Sequence, residues 1–170
     1  MKFLKAFLVV LLLLVAVLLL IGVFVPEVDD QFETRIDRPV IQVYAAMANL
    51  QRAPEWVVGL DSVVQTAGFL AMPGSTFKLY YSGKETNTIY DMEVLEMMPL
   101  ESVKFKLTNN EFEFDVTINF ERDGMSTNLD VYVQMKGKDL LSRSFLPLMK
   151  SAVMDVGKEN FEALKELQEQ

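Results

Sequence analysis

Apolar and polar positions alternate with two different periods along this chain, after an opening stretch with no polar side at all. Ala6 to Val25 carries no charged residue and is mostly Leu and Val. As a helix it would span about 30 Å, the thickness of a bilayer's hydrocarbon core. From Gln31 the period becomes two. Phe32, Thr34 and Ile36 alternate with Glu33, Arg35 and Asp37, which predicts a half-buried strand. Pro39 ends that strand and opens a short helix through Val40, Val43, Tyr44 and Met47 to about Asn49, and Pro54-Glu55-Trp56 predicts a second short helix or turn. Val57 to Thr66 leads into another strand. Period-two segments then recur at Phe77–Tyr81, Thr88–Val94, Val103–Leu107, Phe112–Phe120 and Leu129–Met135. They are punctuated by Pro73-Gly74, Ser82-Gly83, Pro99, Asn109-Asn110 and the hairpin signal Asp123-Gly124. Short connections make consecutive strands antiparallel neighbours in one twisted sheet with a wet side and an oily side.

After Asp139 the period changes to that of a helix. Leu141, Phe145, Leu148, Met149, Ala152, Val153, Val156, Leu164 and Leu167 recur at three- and four-residue spacing, with Arg143, Lys150, Glu159, Glu162 and Glu166 mostly opposite. Asp139 is the expected N-cap, since its carboxylate can accept the first turn's orphan amides. A helix from Asp139 to Gln170 spans roughly 45 Å and must lie across something broad. The oily side of the sheet is its natural cover. Pro147 within the helix predicts a kink, and Gly157 a second loose point.

Residues 1–26 are thus expected to form a transmembrane signal anchor and residues 27–170 a single domain, with Pro26 to Asp30 as a short linker. The apolar run exceeds a signal peptide's and lacks a small-x-small cleavage site. Lys2 and Lys5 precede it and Glu27, Asp29 and Asp30 follow it. The positive-inside rule then puts the N-terminus in the cytoplasm and the domain outside, on the periplasmic side of the inner membrane in a bacterium.

Charge and composition narrow the chemistry. The chain has 16 basic and 24 acidic residues, a net charge of −8, and only Lys2 and Lys5 lie before the domain, which is therefore more acidic still. Such a surface repels nucleic acid. Without cysteine or histidine the chain has no disulfide, no thiol nucleophile, no Ser-His triad and no thiolate or imidazole metal site. No Gly-rich phosphate loop or metal-ligand cluster occurs, so no metal or cofactor is expected.

The order of strand, two short helices, a six-strand run and a long final helix resembles the START/Bet v 1-like superfamily, specifically its polyketide cyclase/dehydrase (SRPBCC) group. Arg38-Pro39-Val40-Ile41-Gln42-Val43-Tyr44, Pro54-Glu55-Trp56, Pro73-Gly74-Ser75 and Asn160-Phe161-Glu162-Ala163-Leu164-Lys165 carry the resemblance locally, over about residues 31 to 168. It implies an α+β helix-grip fold, about seven strands curved around the C-terminal helix, with a cavity that takes hydrophobic ligands in many members. No catalytic set is common to the superfamily, and none is carried over.

Inward parity nominates Phe77, Tyr90, Met92, Phe105, Phe112, Phe114, Leu129, Val131, Phe145, Met149 and Val153 as cavity lining, with Tyr44 and Trp56 near its mouth. Ten methionines favour a wall that repacks around variable apolar guests. The leading expectation is a membrane-tethered domain that binds a lipid-like or other hydrophobic small molecule. Two alternatives remain open. A ligand-free scaffold that meets a protein partner would show a filled core, with no pocket above roughly 300 Å³. A cyclase- or hydrolase-type enzyme would need tyrosine together with Arg35, Asp91 or Glu93 turned inward as acid, base or anion clamp.

Overall fold

The computed structural model describes residues 2–70, 72–82 and 87–169. The predicted Ser82-Gly83 turn falls partly outside them. Helix α1 (Lys2–Phe24) leads through Val25 and Pro26 directly into β1 (Glu27–Ile36). Then come α2 (Val40–Ala48), a 3-10 turn at Leu50–Glu55, β2 (Leu60–Ala67), β3 (Thr76–Ser82), β4 (Asn87–Met98), β5 (Ser102–Thr108), β6 (Phe112–Asp123), β7 (Ser126–Gly137) and α3 (Leu140–Glu169). All seven strands form one antiparallel sheet in the order β1-β7-β6-β5-β4-β3-β2. This is the α+β helix-grip architecture: a sheet curved over a long C-terminal helix.

β1 starts earlier than its alternation suggests. Glu27, Val28, Asp29 and Asp30 pair with Lys136, Met135, Gln134 and Val133 of β7, so the expected linker is strand. Acidic residues masked the pattern there, because both sides of that strand end are partly wet. Only Val25 and Pro26 therefore separate the sheet from the end of α1.

Alternation elsewhere sorts the side chains as expected. Phe112, Phe114, Val116, Ile118 and Phe120 of β6 and Leu129, Val131, Val133 and Met135 of β7 are buried. Their outward neighbours make cross-strand ion pairs, with Lys106 at 3.2 Å from Glu113 and Lys136 at 3.1 Å from Asp115. The face that α3 turns to the sheet differs from the predicted one. Leu146, Met154, Phe161 and Leu164 are buried, whereas Leu141, Phe145, Leu148 and Val156 are exposed. Apolar residues surround the first half of α3 too widely for periodicity to say which stripe meets the sheet. Gly157 has a packing reason, since a Cβ there would lie 3.3 Å from the Phe32 ring on β1. The helix runs unbroken through it and through Pro147.

Asp139 caps α3 as expected: its carboxylate accepts from the Ser142 amide at 2.7 Å and from the Ser142 hydroxyl at 2.8 Å. Those bonds hold the Asp139 pKa below the usual carboxylate value. The Ser126 hydroxyl, and then Arg35, do the same for Asp37. Each carboxylate binds its proton more weakly when folded, so its contribution is present above a pH of about 4 and is lost as pH falls through the folded pKa. The stability of the domain is expected to drop on acidification below about pH 4. Asp139→Ala should lower Tm by a few degrees at pH 7 and by less at pH 3, which thermal scans at both values would check.

Candidate functional site: an apolar cavity under the C-terminal helix

The inward side chains form two packed clusters. One is built on β1, β6, β7, α2 and α3, and the other on β2, β3, β4 and the 3-10 turn. Trp56, Tyr90, Met97, Phe105 and Leu107 border both. Beneath these shared residues the two clusters leave a cavity of about 530 Å³. The sheet is wide and α3 crosses only one part of it, so strands β3 to β5 curve over empty space.

Sheet positions Leu79, Met92, Val94, Phe105, Phe114, Val116 and Val131 supply most of the wall, and Val153, Val156, Gly157 and Phe161 of α3 close it. The 3-10 turn contributes Ala53 and the segment after it Trp56, Val57 and Val58. Asn160 anchors that segment to α3, its side-chain oxygen accepting from the Val58 amide at 2.8 Å. The exposed side chains among the lining residues are Val58, Ala152 and Val156, which places the mouth between this segment and the outer edge of α3.

Among the described residues the wall carries no Asp, Glu, Lys or Arg. Its polar groups are the Tyr81 and Tyr90 hydroxyls, Thr88, Asn160 and the Trp56 indole. Tyr81 and Tyr90 meet edge to face with ring centroids 5.5 Å apart. Burial pushes the Tyr81 phenol up to about 12, with Tyr90 adding to the effect, and burial also raises Tyr90. Both phenols stay protonated near neutral pH, as donors and not as bases. The Trp56 Nε1 is buried without a hydrogen-bond partner among the described residues. The carboxylates considered for catalysis sit elsewhere. Asp91 pairs with Lys78 at 2.7 Å on the outer face, Glu93 is exposed, and Arg35 binds Asp37, Asp123 and Ser126.

Of the residues nominated from the sequence, Trp56, Tyr90, Met92, Phe105, Phe114, Val131 and Val153 line this cavity. The others do not. Tyr44 packs edge-on against Phe120 with ring centroids 5.5 Å apart, and Leu129 is fully buried in the cluster that α2 covers. Phe112 lies across from Gly137, which has no room for a side chain against the backbone of Arg143, so the first turn of α3 closes that end. Met149 packs on the same cluster, Phe77 is buried in the other, and Phe145 points outward from α3. Both ends of β6 are thus filled and the void lies over its middle. Parity alone could have flagged Leu79, Val116 and Leu107, which share a face with nominated neighbours. Ala152 belonged to the apolar stripe expected of the final helix, whereas the contributions of Val58 and Asn160 had no signal in the pattern.

No protein-family model matches the sequence, and no curated protein sequence matches it. Solved structures do match in fold. A START superfamily protein from Mycobacterium smegmatis aligns with a TM-score of 0.70 at 13% identity, over 84% of this chain and 97% of that one. The Zhui aromatase/cyclase from Streptomyces sp. R1128 aligns with a TM-score of 0.71 at 9% identity, over 84% and 94%. Ara h 8.0201 aligns with a TM-score of 0.72 at 11% identity, over 84% and 97%. At these identities the likeness is one of fold, and the fold is the START/Bet v 1-like helix grip.

Proposed function

We propose that this chain is a membrane-tethered domain that holds a lipid-like or other hydrophobic small molecule in the cavity between its sheet and α3. The observation that carries the reading is the cavity itself, about 530 Å³ of space walled by apolar side chains without a charged group among the described residues. That volume lies within the range of ligand pockets, roughly 300–1,000 Å³, and speaks against a core packed solid by its own residues. Removing apolar ligand surface from water at about 25 cal/mol per Å² supplies affinity, and the few wall hydroxyls orient a polar end. Among the described residues an enzymatic reading finds no carboxylate in the wall and two phenols whose protons are held tightly. α1, long and apolar enough to cross a membrane, serves as an uncleaved signal anchor with the N-terminus cytoplasmic and the domain on the outer side.

Native mass spectrometry of the domain tests this, with the full chain folded in the membrane and then released by a protease site placed at Val25-Pro26. Discrete extra masses that vanish on organic extraction are expected. A clean apo mass that persists after incubation with membrane lipids would sink the reading. Among the described residues the wall holds no group that titrates near neutrality, so affinity for an apolar probe is expected to change less than about twofold between pH 5 and 9. Binding titrations across that range check it, and a steep pH dependence would mean that an ionisable group reaches the ligand.

A further inference from the structure

Helix α3 presents three faces. One covers the sheet through Leu146, Met154, Phe161 and Leu164. A second bears on α1: a Cβ built on Gly22 would lie 2.5 Å from the Leu140 carbonyl oxygen and overlap the Ser144 hydroxyl, so the helix backbones touch there. The third carries Leu141, Phe145, Leu148, Ala152 and Val156 in a single stripe at helical spacing, all of it exposed, with Leu148 at 67% and Leu141 at 57%. The stripe ends beside Asp155 and Glu159.

The contact with Gly22 fixes the level of the near end of this stripe, at Leu141 and Phe145. α1 ends at Phe24, two residues beyond Gly22, which is about 3 Å along the helix axis. Where α1 crosses a bilayer, the first turns of α3 therefore sit beside the outer end of the spanning segment, at the boundary of the hydrocarbon. A row of Leu and Phe at that depth, unaccompanied by charge, suits the bilayer boundary and is costly in water. At its far end the same stripe reaches the cavity, because Ala152 and Val156 are wall residues at the mouth.

We propose that the outer stripe of α3 lies in the surface of the bilayer that α1 spans, so that the mouth opens toward lipid and the cavity takes the alkyl chain of a bilayer amphiphile without passage through water. The proposal rests on the anchor and cavity readings above. It adds the route of entry and the class of ligand.

The chain contains no cysteine, so single cysteines can be labelled in the full chain reconstituted into phosphatidylcholine vesicles. An environment-sensitive fluorophore would be placed at Leu148→Cys on the stripe, at Leu12→Cys in α1 and at Glu121→Cys on the exposed end of β6. Nitroxide-bearing phosphatidylcholine is expected to quench Leu148→Cys and Leu12→Cys at least twofold more than Glu121→Cys. Quenching at Leu12→Cys with none at Leu148→Cys leaves the anchor standing and overturns the proposal. A Leu148→Cys label shielded from lipid and aqueous quenchers alike overturns it in favour of a protein partner. No quenching at Leu12→Cys removes the anchor and the proposal together.

Leu148→Glu supplies a functional readout, since Leu148 lies outside the cavity wall. It is expected to slow transfer of a fluorescent acyl-chain probe from vesicles at least tenfold while leaving affinity for the same probe delivered from solution unchanged. An unaltered vesicle rate, or an equal loss by both routes, overturns entry from the bilayer. Absence of binding by either route in the unmodified chain counts against the cavity reading itself.

Discussion

Val153→Trp is expected to abolish most ligand affinity while leaving the domain folded. Val153 stands on α3, half-buried, with its side chain against the cavity. An indole ring there has space to extend into the void, so the usual strain of overpacking a filled core is avoided. The same ring denies a ligand on the order of 100 Å² of apolar contact. At about 25 cal/mol per Å² that is about 2.5 kcal/mol, or between tenfold and a hundredfold in Kd. Titration of an apolar fluorescent probe against the full chain, beside a circular dichroism spectrum, measures both parts. Unchanged affinity with an intact fold would place the ligand elsewhere on the molecule.

Leu129→Ala and Leu79→Ala remove the same atoms and are expected to differ in cost by about 2 kcal/mol. Leu129 is fully buried in the cluster under α2, so its truncation opens a new cavity and is expected to cost about 4 kcal/mol. Leu79 faces the existing void, so its loss forfeits mainly the transfer of its own methyl and methylene groups, about 2 kcal/mol. Pulse proteolysis of the full-length variants in bilayer discs would give both values. Equal costs would show that side chains collapse into the void in solution, and the cavity reading would lose its support.

The contrast between these two leucines also marks the limit of what alternation can say. Both point inward from strands with a clear period of two, and inward orientation follows from the polar residues on the other side. Whether an inward side chain meets another or meets space depends on what lies across the sheet. α2 covers Phe120 through Tyr44, and the first turn of α3 covers the other end of β6 at Gly137, so Tyr44, Phe112 and Leu129 pack solidly. Nothing crosses the middle of β4 to β6 closely enough, and Met92, Phe105 and Phe114 face the void. Local pattern has no access to that distance.

What the sequence determined by itself was the set of elements, their order and the antiparallel run of neighbours from β2 to β7, while the place of β1 beside β7 was left to the tertiary structure. Period-two and period-3.6 burial, proline and glycine punctuation and short connections are local in origin, and so is the apolar run that makes α1. It also limited the chemistry, because the absence of histidine and cysteine is a property of composition. Tertiary structure alone decided which of the apolar stripes on α3 faces the sheet, which leans on α1 at Gly22 and which is left outward. It also decided where the curved sheet parts from the helix to leave a cavity. Those choices rest on the relative placement of residues more than a hundred positions apart along the chain, such as Gly22 and Ser144 or Val58 and Asn160. Periodicity within one element carries no information about them.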